Sequence, residues 1–216
     1  MLACYHRQMI QTALQSTFQA ADLELITAAN LGQDSLRGLL NPLYHFDDSR
    51  FSDSEQYIAE QRRTAVAAII VQQDRTTALQ AFGRLLHGRQ DFYAHSNWVS
   101  RWVDAQGGLA NCRPEDTPIC PDPTAVPGLM SGRAAIPLYL LYRVPLLGPL
   151  VRRFYFPPDT HDAMNLDDPG RGPLFAYAIA AATKHTHVEL DLLLQELESA
   201  GGETAVAHFL GRKRGE

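Results

Sequence analysis

The spacing of apolar residues is the feature of this 216-residue sequence that most restricts its fold. From Pro173 to about Ser199 they recur every three or four residues, which is the period of a helix with one buried face. Similar spacing predicts further helices near both ends of the chain and through its middle. We find no alternation of apolar and polar residues of the kind that a half-buried strand would show. The sequence therefore predicts an all-α fold.

Loops rich in glycine, proline and aspartate separate the predicted helices. Ser52 and Glu55 form a capping-box pattern at the start of the third helix, and Asp74 is placed to cap the fourth. The helices are expected over approximately residues 7–20, 23–32, 53–73, 76–102, 173–199 and 205–210. We expect one all-α domain spanning residues 1–216, with a loop-rich insertion or lid at 104–171.

One apolar stretch does not fit a long helix. Residues 136–151 contain three prolines, one glycine and Arg143, and they predict a short helical hairpin or lid. Such a segment could cover an edge of the core, which is the role we favour. The alternative is contact with a membrane surface or a lipid.

Composition excludes some classes of function. The formal net charge of −5 disfavours binding to duplex nucleic acid, which needs a basic face to neutralise phosphates. The three cysteines form no CxxC pair and are expected to be free thiols. The first residues lack the pattern of a secretory signal, so the expected location is the cytoplasm, or outside the cell by export without a cleaved signal peptide. No apolar run is long enough to cross a membrane.

The segment around Asp91 carries the strongest chemical signal. His87, Asp91 and His95 are spaced four residues apart, so in a helix all three side chains fall on one stripe. Imidazole and carboxylate groups on one face are the ligands that divalent transition metals prefer. The alternative is an amphipathic helix whose polar face happens to carry two histidines.

Further candidate ligands are spread along the chain, as in a helical protein that gathers a metal site at one end of a bundle. They are His6 at the start of the first helix, His45 with Asp47 or Asp48 in a loop, and His161 in a late loop. His185 and Glu189 have the i, i+4 spacing of a metal-binding pair, but an exposed pair on a helix shoulder is an equal alternative.

A family resemblance enters at these positions. The stretch from Gly83 to Trp98, with Gln90-Asp91-Phe92-Tyr93-Ala94-His95 at its centre, resembles the signature of the Het-C heterokaryon-incompatibility family. Relatives of the signature also occur in some von Willebrand factor A domain-containing proteins. Looser matches are His6 with Ile10, the run from His45 to Asp48, and His161 with Asp167.

The Het-C family in turn is similar to zinc-dependent phospholipases C and single-strand-specific zinc nucleases, which are all-α. The resemblance implies a phospholipase C-like phosphoester hydrolase with two or three divalent metal ions, expected to be zinc, and a phosphoester or phospholipid substrate. Asp47 or Asp48 would orient the attacking water. The implied metal ligands are His6, His45, His87, Asp91, His95 and His161. The alternatives are a non-catalytic recognition or toxicity module with a structural metal, and a metal-dependent nuclease or phosphatase.

Overall fold

The computed structural model describes residues 1–134 and 140–212, and it confirms the all-α fold as a single domain. In these residues the β-type pairing is confined to two isolated bridges, Ser96 with Ser131 and Arg133 with Thr160. None of the helices in this part of the chain is long and apolar enough to cross a membrane. The helices are α1 (Ala3–Leu14), α2 (Ala20–Leu31), α3 (Phe51–Ala67), α4 (Arg75–His95), α5 (Trp98–Ala105), α6 (Leu147–Phe154), α7 (His161–Met164) and α8 (Leu174–Leu210).

Helix α4 lies at the centre of the domain. It packs against α2, α3 and α8, and every residue from Leu85 to His95 is buried. A helix that is enclosed on all sides is normally apolar all round. Here six of the eleven enclosed positions carry a polar, charged or glycine residue, so the buried polar groups must find partners inside the protein. These groups form the candidate site described below.

Gly83 allows α2 and α4 to approach closely. A Cβ atom built at this position would lie 2.2 Å from the carbonyl oxygen of Ile26 and 3.0 Å from the Cβ atom of Ala29. Both atoms belong to rigid parts of α2 and cannot move aside cheaply. This close contact with another helix explains why a glycine stands inside α4.

We expect Gly83→Ala to lower the free energy of unfolding by about 1–3 kcal/mol, because the added methyl group overpacks the contact with α2. Helix propensity alone predicts the opposite sign, a gain of about 1 kcal/mol. Gly32→Ala is the matched control, since a Cβ there meets nothing within 4 Å. Urea denaturation of the two variants and the parent protein measures the effect, and a stabilised Gly83→Ala variant would contradict the close contact.

Some predicted helix boundaries are wrong. Helix α3 begins at Phe51 after Arg50, without the Ser52 cap. The helix predicted to run to residue 102 is broken after His95. The Asn97 backbone nitrogen donates to the carbonyl oxygen of Met130, and the Asn97 side-chain oxygen accepts from the Met130 backbone nitrogen. The two predicted C-terminal helices are present as the two parts of α8, which a non-helical backbone at Gly202, with φ of +65°, divides. The predicted Asp74 cap on Thr77 is present.

The apolar stretch does not cover the core edge that we expected. Residues 136–139 lie outside the described residues, but large apolar side chains from 140 to 156 point into solvent. Leu146 is 93% exposed and Phe154 is 80% exposed. Part of the segment packs on itself: the Tyr142 hydroxyl donates to the carbonyl of Tyr155, and the Arg152 guanidinium lies 4.9 Å from the Tyr142 ring. Arg152 also lies 3.4 Å from Asp162 in α7. Contact with a membrane surface stays a prediction.

Candidate metal site

Four side chains from three segments of the chain converge beside α4. Asp34, His45, His87 and Asp91 each present one possible ligand atom, and these atoms all lie within 4.8 Å of one another. We call these residues the first group. His45 Nδ1 and His87 Nε2 lie 2.9 Å and 3.1 Å from Asp91 Oδ2, and the two nitrogens are 3.1 Å apart. Asp34 Oδ1 lies 3.5 Å from His87 Nε2.

These separations suit a small divalent cation. Ligand atoms at about 2.0–2.1 Å from a tetrahedral zinc ion lie about 3.3 Å from one another. Hydrogen bonds alone satisfy this arrangement only when both ring nitrogens carry hydrogens that point at the same carboxylate oxygen. A cation bound between the three atoms satisfies them together.

The two histidines of the first group differ in protonation. His45 Nε2 lies 3.3 Å from the carbonyl oxygen of Gly38, which can only accept, so a neutral ring carries its hydrogen there and leaves Nδ1 free. Burial lowers the pKa of His87 to about 3, and this ring is neutral at physiological pH. The pKa of His45 is raised, because its contact with Asp91 outweighs the effect of burial.

Asp91 lies at the centre of a larger cluster of polar side chains. By the cluster we mean the first group together with His6, Asp47, Gln90, His95, His161 and Asp167. Its Oδ2 atom faces the first group, whereas its Oδ1 atom lies 2.8 Å from the nitrogen of Met1 and 3.2 Å from His6 Nε2. Burial by itself would raise the pKa of Asp91, but the Met1 ammonium and the neighbouring histidines, His95 foremost, hold it well below its usual value. The carboxylate is therefore charged and available to a cation on both of its oxygens.

A second group of possible ligands lies next to the first. Asp47, His95 and His161 also place one ligand atom each within 4.8 Å of one another, and we call them the second group. His161 Nδ1 lies 3.0 Å from both carboxylate oxygens of Asp47, and His95 Nδ1 lies 3.1 Å from the carbonyl oxygen of His45. In the neutral rings these bonds place the hydrogen on Nδ1, and the Nε2 atoms face Asp167. His95 Nε2 lies 3.0 Å from Asp167 Oδ1, and His161 Nε2 lies 4.0 Å from Asp167 Oδ2.

The pKa values in this part of the site reflect the same contacts. The pKa of His161 is raised, because the Asp47 carboxylate outweighs the effect of burial. The pKa of Asp167 is lowered, because the Met1 ammonium and His95 together outweigh the effect of burial. The arrangement of Asp47 behind His161 is the carboxylate–histidine pairing that commonly orients a metal-binding imidazole.

The cluster forms one wall of a cavity of about 290 Å³. Its lining includes Asp34, His45, Asp91, His95, His161 and Asp167, and Arg133 and Tyr142 lie elsewhere on its wall. Both groups therefore face a space large enough for water and a small ligand. Asp48 lies outside the cluster, because its carboxylate is exposed and accepts a hydrogen bond from the backbone nitrogen of Ala134.

His185 and Glu189 do not join either group. Glu189 is buried against Arg89, whose Nε lies 2.7 Å from Glu189 Oε1, and against Arg62. His185 Nδ1 lies 2.6 Å from the hydroxyl group of Tyr93. The expectation of an exposed pair is also wrong, since both side chains are buried. Of the candidate ligands late in the chain, His161 lies within the cluster, whereas His185 and Glu189 do not.

Three residues of the cluster were missed from sequence. Asp34 is the last residue of a short 3-10 turn, Gly32–Asp34, and Asp167 follows α7 in a loop. Gln90 accepts a hydrogen bond at 2.8 Å from His6 Nδ1. Asp167 belongs to the loosest of the sequence matches described above, but its spacing from the other candidates gave no reason to choose it as a metal ligand. The other two had no sequence signal that we could use.

Comparison with known proteins gives one consistent result. Residues 1–106 match the family model of the VWA7 N-terminal domain. They make up just under half of the chain and include His6, His95 and all of the first group, but not His161 or Asp167. The chain is also 43% identical over 84 residues to von Willebrand factor A domain-containing protein 7 of Homo sapiens, and 42% identical to that of Mus musculus.

The alignments cover 38% of this chain and 9% of each of these relatives, so the chain spans a small part of their length. No solved structure matches. The similarity lies with the von Willebrand factor A domain-containing proteins that share a related signature, and the resemblance to the Het-C family is wrong.

The function that rested on that resemblance is corrected with it. The match to the VWA7 N-terminal domain gives no support to a metal-dependent phosphoester hydrolase, whether phospholipase C-like or nuclease-like, or to a toxin. The expected roles of Asp47 and Asp48 in orienting an attacking water lose their basis as well. The histidine and aspartate cluster is independent of the resemblance, since it stands on the distances between its atoms.

Proposed function

We propose that this chain is a divalent-metal-binding domain whose metal ions lie at the wall of an accessible cavity. The observation that carries the proposal is the convergence of Asp34, His45, His87 and Asp91, with three ligand-atom separations between 2.9 and 3.1 Å. One cation would bind to the first group. A second would bind beside His95 and His161, with Asp167 as the nearest carboxylate and Asp47 orienting His161.

The surroundings of the cluster favour this proposal over a set of chance contacts. His87 and Asp91 are fully buried, and His45 is 4% exposed. Buried polar groups are normally hydrogen-bonded, yet among the described residues His6 Nε2, which lies 3.2 Å from Asp91 Oδ1, has no hydrogen-bond partner. A bound metal ion would offset the cost of burying so many acceptors together. Zinc suits the mixture of imidazole and carboxylate ligands, and manganese, nickel or iron are further candidates.

The metal would also stabilise the fold, because its ligands come from α4, from the segment of residues 34–47 and from the loops around α7. A ligand present at about 100 times its dissociation constant adds about 2.7 kcal/mol to the free energy of unfolding. For a domain of this size we expect a rise in Tm of about 5–10 °C.

Differential scanning calorimetry of chelator-treated protein, with and without zinc chloride, measures this rise. His45→Ala should remove most of it, whereas His187→Ala should not, because His187 is exposed on α8 and touches neither group. An unchanged Tm on adding zinc, or an equal rise in the His45→Ala variant, would refute the proposal.

A further inference from the structure

His6 is buried next to the cluster but belongs to neither group. Its side chain is fully enclosed, and its Nε2 atom lies 3.2 Å from Asp91 Oδ1. Within the described part of the chain this nitrogen makes no hydrogen bond, although the two atoms are close enough for one. A separation of this size without a hydrogen bond is the spacing expected of two ligand atoms that bind the same metal ion.

A chain of buried hydrogen bonds fixes the hydrogen on the other nitrogen of His6. The Thr186 hydroxyl donates to the carbonyl of Ala182 at 2.9 Å, so it accepts from Gln90 Nε2 at 3.1 Å. The oxygen of Gln90 then faces His6 Nδ1 at 2.8 Å and accepts from Asn30 Nδ2 at 3.2 Å. Turning the Gln90 amide alone would set its nitrogen against the Asn30 nitrogen. In this arrangement of the two amides His6 Nδ1 donates to Gln90, because an amide oxygen can only accept.

We infer that His6 Nε2 is a ligand of the second metal ion, and that Gln90 is the positioning residue that presents its lone pair. The inference rests on the proposed metal-binding function. It adds a ligand that neither group contains and a residue that acts through that ligand. Hydrogen bonds of this kind set the tautomer of a metal-binding imidazole and its orientation.

The second ion would bind at Asp91 Oδ1, since the other possible ligand atoms of the second site lie near that oxygen. That oxygen lies 2.8 Å from the Met1 nitrogen, which in turn lies 3.1 Å from Asp167 Oδ1 and 3.4 Å from His95 Nε2. His6 approaches Asp91 Oδ1, whereas the first group approaches Asp91 Oδ2. The two ions would therefore bind to different oxygens of one carboxylate.

The tautomer of His6 is tested in zinc-free protein, so this test does not depend on metal binding. Long-range proton–nitrogen correlation spectra of the 15N-labelled 216-residue chain report which ring nitrogen carries the hydrogen. We expect the Nδ1–H form in the parent protein and in Thr186→Ser, which keeps the hydroxyl group. Gln90→Met should lose this preference. The Nε2–H form in the parent protein, or an unchanged spectrum in Gln90→Met, would overturn the inference.

Zinc affinity gives a second, independent test of the role of Gln90. Changes outside the direct ligands of a metal commonly weaken binding by about 10–100-fold. We expect Gln90→Met and Thr186→Val to weaken one of two zinc-binding steps by that factor and to leave the other within about twofold, as isothermal titration with zinc chloride would show. Thr186→Ser should behave like the parent. Two unchanged steps, or equal weakening of both, would overturn the role of Gln90. A parent protein that binds no zinc would instead refute the proposed function.

Discussion

Asp91→Asn is expected to weaken zinc binding at both positions by more than about 100-fold. The two oxygens of Asp91 face different sets of ligands, with His45 Nδ1 at 2.9 Å from one and His6 Nε2 at 3.2 Å from the other. Loss of residues that merely orient ligands weakens metal binding by about 10–100-fold, and a shared ligand should cost more. Competition for zinc with a coloured chelator measures the affinity.

Asp48→Asn is the control for this variant. Asp48 is one residue from Asp47 and looks equally suitable in the sequence, but its exposed carboxylate lies outside the cluster. We expect its zinc affinity to equal that of the parent protein. An Asp91→Asn variant that is folded by circular dichroism and binds zinc as tightly as Asp48→Asn would show that the cluster is not the metal site.

Arg89→Ala should have the largest effect on stability. The Arg89 guanidinium donates to Glu189 at 2.7 Å and to Glu55 at 2.5 and 2.9 Å, and it joins α4 to α8 and α3. Removing one partner of a buried ion pair typically costs about 3–5 kcal/mol, because the other charge remains buried. We therefore expect Tm to fall by about 6–20 °C in calorimetry without added metal.

Arg50→Ala provides the comparison for Arg89→Ala. Arg50 pairs with Asp53 on the surface, where both side chains are about half exposed. Exposed ion pairs contribute about 0–1 kcal/mol, so this variant should unfold close to the parent temperature. Similar losses in both variants would contradict the buried network between α4 and α8.

The part of the site that the sequence predicted best depends on local geometry. His87, Asp91 and His95 share one helix face whatever packs around α4, so their spacing was sufficient to bring them together. His6 and His45 were candidates only because histidine binds metals. Their positions depend on how α1 and the loop after Pro42 pack against α4, which spacing does not specify.

The residues that were missed or misplaced depend on contacts between distant segments. Asp34 lies on a short turn, and nothing in the residues around it indicates that it faces Asp91. His185 and Glu189 have the spacing of a metal-binding pair, but the sequence does not show that Arg89 would reach Glu189 across α4 and α8. The family resemblance misled us in a different way, because a shared short motif was extended to a whole-protein activity.

Counting the metal ions bound to each chain tests the central claim most directly. The 216-residue chain would be stripped with a chelator, loaded with zinc chloride, separated from free zinc by gel filtration and measured by inductively coupled plasma mass spectrometry. The cluster predicts two zinc ions for each chain of the parent protein, and none retained by Asp91→Asn. A zinc content in the parent no higher than in Asp91→Asn would contradict the account.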